Sequence, residues 1–369
     1  MLYQPFAFDW FWFWFGFGFL SFCFGLGLGL RIPFIPSCTT SRNTLVLNNS
    51  NGKDAGFKAE FRQIMELLAS LGIDVCANCG KEGNDINNIC NKCKQVKYCN
   101  AACKKKHRQK HKKDCERRVA KLYDKELFKE PPPQYGDCPI CFLRIPTLHT
   151  GSKYMSCCGK VICSGCYYAP VYDNQGNIIA EKKCPFCRTP TSTSNEEMIK
   201  RDKKRVELDD PIAIYNQGCD YDNGDSGYPQ DDTKAFELWH RAAELGCSEA
   251  YTSIGYLYDH GRGVEVDKKK AMHYYELAAM KGHVKARDNL GIIEEDAGNT
   301  ERALKHYMIA VRGGDNDSLD CIKDMYSDGD ATKEDYTTAL QSYQTYLGEV
   351  KSKQRDEAAA ASDANKYID

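Results

Sequence analysis

"YCNAACKKKHRQKHKKDC", Tyr98–Cys115, packs three cysteines and two histidines into one of the most lysine-dense stretches of a 369-residue chain. Either this is a basic arm for nucleic acid or a metal site that happens to be basic. Spacing decides between them. His111 and Cys115 are four residues apart and so share one helix face, with the lysines covering the other faces. No aromatic residue interleaves with the lysines between Lys104 and Lys113, which argues against a direct nucleic-acid groove.

Working outward, seventeen of the twenty cysteines fall before residue 190, most of them in C-x2-C pairs: Cys76/Cys79, Cys90/Cys93, Cys138/Cys141, Cys163/Cys166 and Cys184/Cys187. Two thiolates at that interval can hold one tetrahedral ion from a tight turn, whereas disulfide frameworks rarely repeat it. The fitting compartment is therefore reducing, cytoplasmic or nuclear. Charge is also segregated. Residues 76–130 carry sixteen Lys and Arg against seven Asp and Glu, while residues 211–347 carry fourteen against twenty-five.

The first block offers eight ligands, Cys76, Cys79, Cys90, Cys93, Cys99, Cys103, His111 and Cys115, enough for two zinc ions. Some forty residues cannot bury enough apolar surface to fold alone, so a metal staple is expected. The order C-x2-C, C-x2-C, Tyr-Cys-x3-C, H-x3-C resembles a MYND zinc finger over 76–115. The resemblance implies interleaved pairs: Cys76, Cys79, Cys99 and Cys103 on one zinc, Cys90, Cys93, His111 and Cys115 on the other. It also implies a module that takes short peptides. His107 stands where that family usually has an aromatic residue; His111 fits the ligand spacing better.

The second block, residues 136–190, supplies Cys138, Cys141, Cys157, Cys158, Cys163, Cys166, Cys184 and Cys187. Its order resembles a RING finger. That implies Cys138, Cys141, Cys163 and Cys166 on one zinc, and Cys157, Cys158, Cys184 and Cys187 on the other, about four ions in the whole chain. Lys160 occupies the place of the usual middle histidine, which brings the block closer to the all-cysteine variant. Adjacent Cys157 and Cys158 are unusual ligands for one ion, and His149 is a distant substitute. In that family a ubiquitin-conjugating enzyme is held by an apolar residue between the first cysteines, a hydrophobic spot near the last pair and a basic residue after it. Ile140, Pro185 and Arg188 match those positions. The implied activity is that of a RING-type ubiquitin ligase; the alternative is a non-enzymatic scaffold.

The last third repeats itself. Ala235, Ala271 and Ala303 each stand eleven residues before Gly246, Gly282 and Gly314, and Ala213, Ala250 and Ala286 open the units. Each unit reads as helix, turn, helix, with small residues where helices approach closely, and such units bury their apolar faces by stacking. The pattern resembles the Sel-one-like repeat, a relative of the tetratricopeptide repeat, over 211–347, with a protein partner expected on the repeat surface. Cys219, Cys247 and Cys321 read as buried small hydrophobes.

The fold class is thus multidomain and mainly α: two small zinc-stapled cross-brace modules followed by an α-solenoid of helix-turn-helix repeats. Residues 1–36 are apolar and of low complexity. Trp10–Leu30 has no charge and reads as a membrane anchor, with Arg31, Arg42 and Lys53 holding the zinc modules in the cytosol, or as translation of a repetitive stretch. Residues 37–75 form a linker and helix, 116–135 a linker whose charged helix is stopped by Pro131, Pro132 and Pro133, and 191–210 a charged linker in which Ser194 and Glu197 have capping-box spacing for a short solvated helix. Residues 348–369 read as a fraying helix or disorder.

Overall fold

The computed structural model describes residues 74–83, 86–170, 175, 183–192 and 194–368; the apolar stretch and the helix expected before Cys76 lie outside them. No helix among the described residues is long and apolar enough to cross a membrane.

The first module contains the antiparallel pair β1 (Asn88–Ile89) and β2 (Lys97–Tyr98), followed by α1 (Ala101–Leu127). Asn100 caps α1 by accepting from the Cys103 amide at 2.8 Å. Among the described residues, Ile86 and Tyr98 are the apolar side chains that join the cysteines and His111 in its buried centre. The second module contains the antiparallel hairpin β3 (Ser152–Met155) and β4 (Lys160–Cys163), then the short α2 (Ser164–Tyr168).

The rest is helical: α3 (Asn195–Glu207), α4 (Pro211–Asn223), α5 (Asp232–Glu244), α6 (Ser248–His260), α7 (Lys268–Met280), α8 (Val284–Asp296), α9 (Thr300–Arg312), α10 (Asn316–Asp328), α11 (Lys333–Val350) and α12 (Lys353–Ala361). Helices α4 to α11 form the repeat pairs, with three buried clusters of their own. The alanines in register, Ala213, Ala250, Ala286, Ala235, Ala271 and Ala303, are all buried. The glycines in register, Gly246, Gly282 and Gly314, have φ of +100°, +89° and +97°, a region that an L side chain enters only with strain.

A second glycine series sets how closely the paired helices approach. A Cβ on Gly218, Gly255 or Gly291 would come within 2.6, 2.8 and 2.3 Å of the rings of Trp239, Tyr275 and Tyr307. Each first helix of a pair is therefore notched to receive the aromatic ring of the second. Gly291→Ala is expected to destabilise the repeats by about 1–3 kcal/mol through overpacking, read as a lowered urea midpoint.

Three segments read as linkers or tail are built into this frame. Helix α1 continues through the drawn boundary at 115 to Leu127, which is fully buried. Beyond it residues 128–135 are strapped across the repeats. The Phe128 ring lies 4.7 Å from that of His306, Arg302 pairs with Asp124 at 2.8 Å, and Arg312 pairs with Glu130 at 2.9 Å. Gln134 donates to Glu249 and accepts from the Val284 amide. The charged linker contains α3, capped by Ser194 accepting from the Glu197 amide; the Glu197 carboxylate turns to Arg201. Arg205 donates to the Ser156 carbonyl, and Tyr154 donates to Asp210. The tail holds a helix, as one of its two readings has it, but neither frayed nor free: α12 is folded back on the second module, with Arg355, Ala358, Asn365 and Tyr367 buried. Its alanine and charge composition hides those anchors.

Candidate metal centres

Four turns of one design supply half of the candidate ligands. In each, the amide four residues after the first cysteine donates back to that cysteine's carbonyl: Gly80 to Cys76, Lys94 to Cys90, Phe142 to Cys138 and Arg188 to Cys184, at 2.9–3.0 Å. The first cysteine's amide donates across the turn to Lys81, Val96, Leu143 and Thr189 respectively. The turn closes only if the residue after the second cysteine is left-handed, and φ is +71° at Gly80, +55° at Lys94, +58° at Phe142 and +63° at Arg188. A C-x2-C interval therefore folds as it does because this turn points two sulfurs at one place.

The turns converge with the remaining residues into four groups whose ligand atoms all lie within 4.8 Å of one another: Cys76, Cys79, Cys99, Cys103; Cys90, Cys93, His111, Cys115; Cys138, Cys141, Cys163, Cys166; and Cys157, Cys158, Cys184, Cys187. These are the four sets, interleaved, that the two resemblances imply. A tetrahedral zinc with Zn–S near 2.3 Å requires sulfurs about 3.8 Å apart, and about 3.6 Å between sulfur and an imidazole nitrogen. The sulfurs are 3.7 Å apart for Cys79 and Cys99, 3.6 Å for Cys90 and Cys115, 3.8 Å for Cys141 and Cys163, and 3.9 Å for Cys158 and Cys184. Cys93 Sγ lies 3.4 Å from His111 Nε2. The residues fit the ion.

Adjacent Cys157 and Cys158 reach one point because they occupy the tip of the β3–β4 hairpin. There the Cys158 and Gly159 amides both donate to the Met155 carbonyl, and Gly159 is left-handed at +67°. His149 is exposed in a short turn and Lys160 is exposed with its Nζ over the Phe186 ring, so neither joins a group. His107 also stays out: its Nδ1 is 3.2 Å from the Tyr98 hydroxyl and its ring stacks on His111, which steadies the ligand.

Electrostatics give the four groups a common feature. Burial raises the Cys76 thiol, but hydrogen bonds from the backbone of Cys99, Cys79 and Asn78 outweigh it and lower it to about 6. Cys90 and Cys187 are likewise lowered to about 6, burial again being outweighed by hydrogen bonds. Cys138 falls to about 4, chiefly through its hydrogen bond with Cys163. Their partners move the other way: burial and neighbouring thiols raise Cys99 and Cys166 to about 12, and Cys115 and Cys158 to about 11. Each group readily holds one thiolate and resists the next, the condition that a divalent cation relieves.

Ile140 is half-buried on the Cys138 turn, and Pro185 and Arg188 lie on the Cys184 turn, half-buried and exposed. Two neighbours escaped the sequence reading. Phe142 is 77% exposed and Phe186 43%. The signal for Phe142 was a large apolar residue immediately after a C-x2-C pair, where the left-handed backbone favours glycine. Arg188→Gly is accordingly expected to keep its metal and to gain up to about 1–2 kcal/mol of stability, visible as an unchanged or raised denaturation midpoint.

The folded chain is a zinc-binding protein built from protein-interaction modules. The MYND finger family matches residues 76–115 and the Sel1 repeat family matches residues 211–247 and 248–283, so the chain carries both. An uncharacterized protein of Neisseria meningitidis serogroup B is 26% identical over 147 residues, 39% of this chain and 30% of that protein. An E3 ubiquitin-protein ligase of Oryza sativa subsp. indica is 34% identical over 71 residues, 19% of this chain and 15% of that protein. The chain thus spans less than a third of either relative. Among solved structures, a Sel1 repeat protein from Oxalobacter formigenes is 30% identical with a TM-score of 0.36, covering 47% of this chain and 67% of that one.

Proposed function

We propose that the protein is a RING-type ubiquitin ligase holding about four zinc ions, in the cytoplasm or nucleus. Residues 136–190 dock a ubiquitin-conjugating enzyme, and the MYND finger and repeats choose the substrate. The observation that carries this reading is the pairing of Cys138, Cys141, Cys163 and Cys166 against Cys157, Cys158, Cys184 and Cys187, with Ile140, Phe142, Pro185, Phe186 and Arg188 on the outer turns. The similarity to a plant ubiquitin ligase supports it. Such a module performs no covalent chemistry of its own; it accelerates transfer by holding a charged conjugating enzyme in a reactive pose. Half-buried Ile140 and the exposed phenylalanines supply apolar contact, and Arg188 a charged one. Short peptides are the ligands expected at the MYND finger, and a protein at the repeats.

The test is self-ubiquitination by the full chain with a panel of conjugating enzymes, beside Ile140→Ala and Arg188→Gly. The wild type is expected to modify itself, and both variants to fall at least about tenfold with zinc content and stability retained. That loss would correspond to at least about 1.4 kcal/mol of lost contact. Silence of a fully zinc-loaded wild type across the panel would leave the non-enzymatic scaffold as the function.

A further inference from the structure

We propose that Arg355, brought back from the C-terminal segment, is an outer-shell residue of the Cys138, Cys141, Cys163 and Cys166 metal site and sets how tightly that site holds its ion. The inference rests on the metal reading above. Four thiolates around a divalent cation leave two negative charges, and Cys138, Cys163 and Cys166 are buried, so that charge must be met from within the protein. Arg355 is fully buried and directs its guanidinium at the site. Nη2 donates to Cys141 Sγ at 3.8 Å and to the Leu143 carbonyl at 3.4 Å; Nη1 donates to the carbonyls of Arg144 at 2.8 Å and Val350 at 2.6 Å. Leu143 and Arg144 complete the turn that presents Cys141. One planar cation thus holds a ligand sulfur and the turn that orients it.

The turn between Cys163 and Cys166 leaves room for the tail. Gly165 lies between Cys163 and Cys166, and a Cβ there would meet Arg355 Cγ at 2.8 Å and its backbone nitrogen at 2.9 Å. Gln354 Oε1 sits 3.9 Å from Cys166 Sγ; with the cysteine ionised, the same amide turned over donates to the sulfur instead. The described contacts of Arg355 reach this group and none of the other three. Outer-shell partners of metal ligands typically carry 10–100-fold of metal affinity.

The experiment follows zinc transfer from the full chain to a chromogenic chelator in wild type, Arg355→Met, Arg355→Lys and Tyr367→Ala, the last loosening the tail without touching the guanidinium. Arg355→Met is expected to release one zinc equivalent roughly 10–100-fold faster while the others keep their rates. Arg355→Lys should restore part of the difference, and cobalt-substituted Arg355→Met should show an altered sulfur-to-metal charge-transfer band for one site. The inference is overturned if Arg355→Met releases zinc as wild type does, if all sites accelerate equally, or if Tyr367→Ala alone reproduces the effect. A wild type without metal in residues 136–190 would overturn it together with the metal reading; metal present with unchanged release overturns it alone.

Discussion

Stripping the metal is expected to unfold residues 76–115 and 136–190 while the repeat helices stay folded. The argument lies in what each region buries. Among the described residues, the large apolar side chains buried beside the cysteines are Ile86 and Tyr98 in the first module and Ile145, Met155 and Ile162 in the second. Those side chains cannot offset the entropy of ordering the modules, whereas a structural zinc contributes about 10–16 kcal/mol of folding free energy per site. The repeats rely on Trp239, Ile254, Tyr275, Leu290, Tyr307 and Ile322, none of which touches a metal group. Hydrogen exchange before and after chelation reads the two regions separately. Amides of Cys90, Cys138 and Cys184 should lose protection, and those of α5 to α9 should keep it. Simultaneous loss across the chain would contradict separate cores.

The second large effect concerns the strap. Leu127→Ala is expected to destabilise the chain by about 2–5 kcal/mol, because the side chain is fully buried where α1 ends against the repeats. Around it Tyr123 donates to Glu276, Asp124 pairs with Arg302 and Phe128 lies beside His306, so the surroundings are held by polar contacts that resist collapse into the cavity. Equilibrium urea unfolding checks this. A shift below about 0.5 kcal/mol, the range of an ordinary surface substitution, would mean that the strap is not integral to the fold.

What the sequence shows and what it hides divide on physical grounds. The ligand groups are legible because metal geometry fixes intervals: C-x2-C makes one turn, and H-x3-C places two ligands on one helix face. The repeats are legible because helix approach demands small residues at fixed distances, which is why Ala235, Ala271 and Ala303 recur with Gly246, Gly282 and Gly314. The strap and the tail follow no period. Each is held by a few long-range contacts, Leu127, Phe128 and Gln134 in one, Arg355 and Tyr367 in the other, inside stretches whose composition reads as solvated. Adjacent Cys157 and Cys158 looked like poor co-ligands only until the left-handed turn at Gly159 supplied the reason that they converge.

Native mass spectrometry of the purified full chain tests the account most directly, because two interleaved modules require a definite metal count. The expected mass is that of the chain with four zinc ions, falling by one when Cys184→Ser breaks a single group. A chain that carries fewer than four ions, or that replaces them by pairs of disulfide-bonded cysteines, would contradict it.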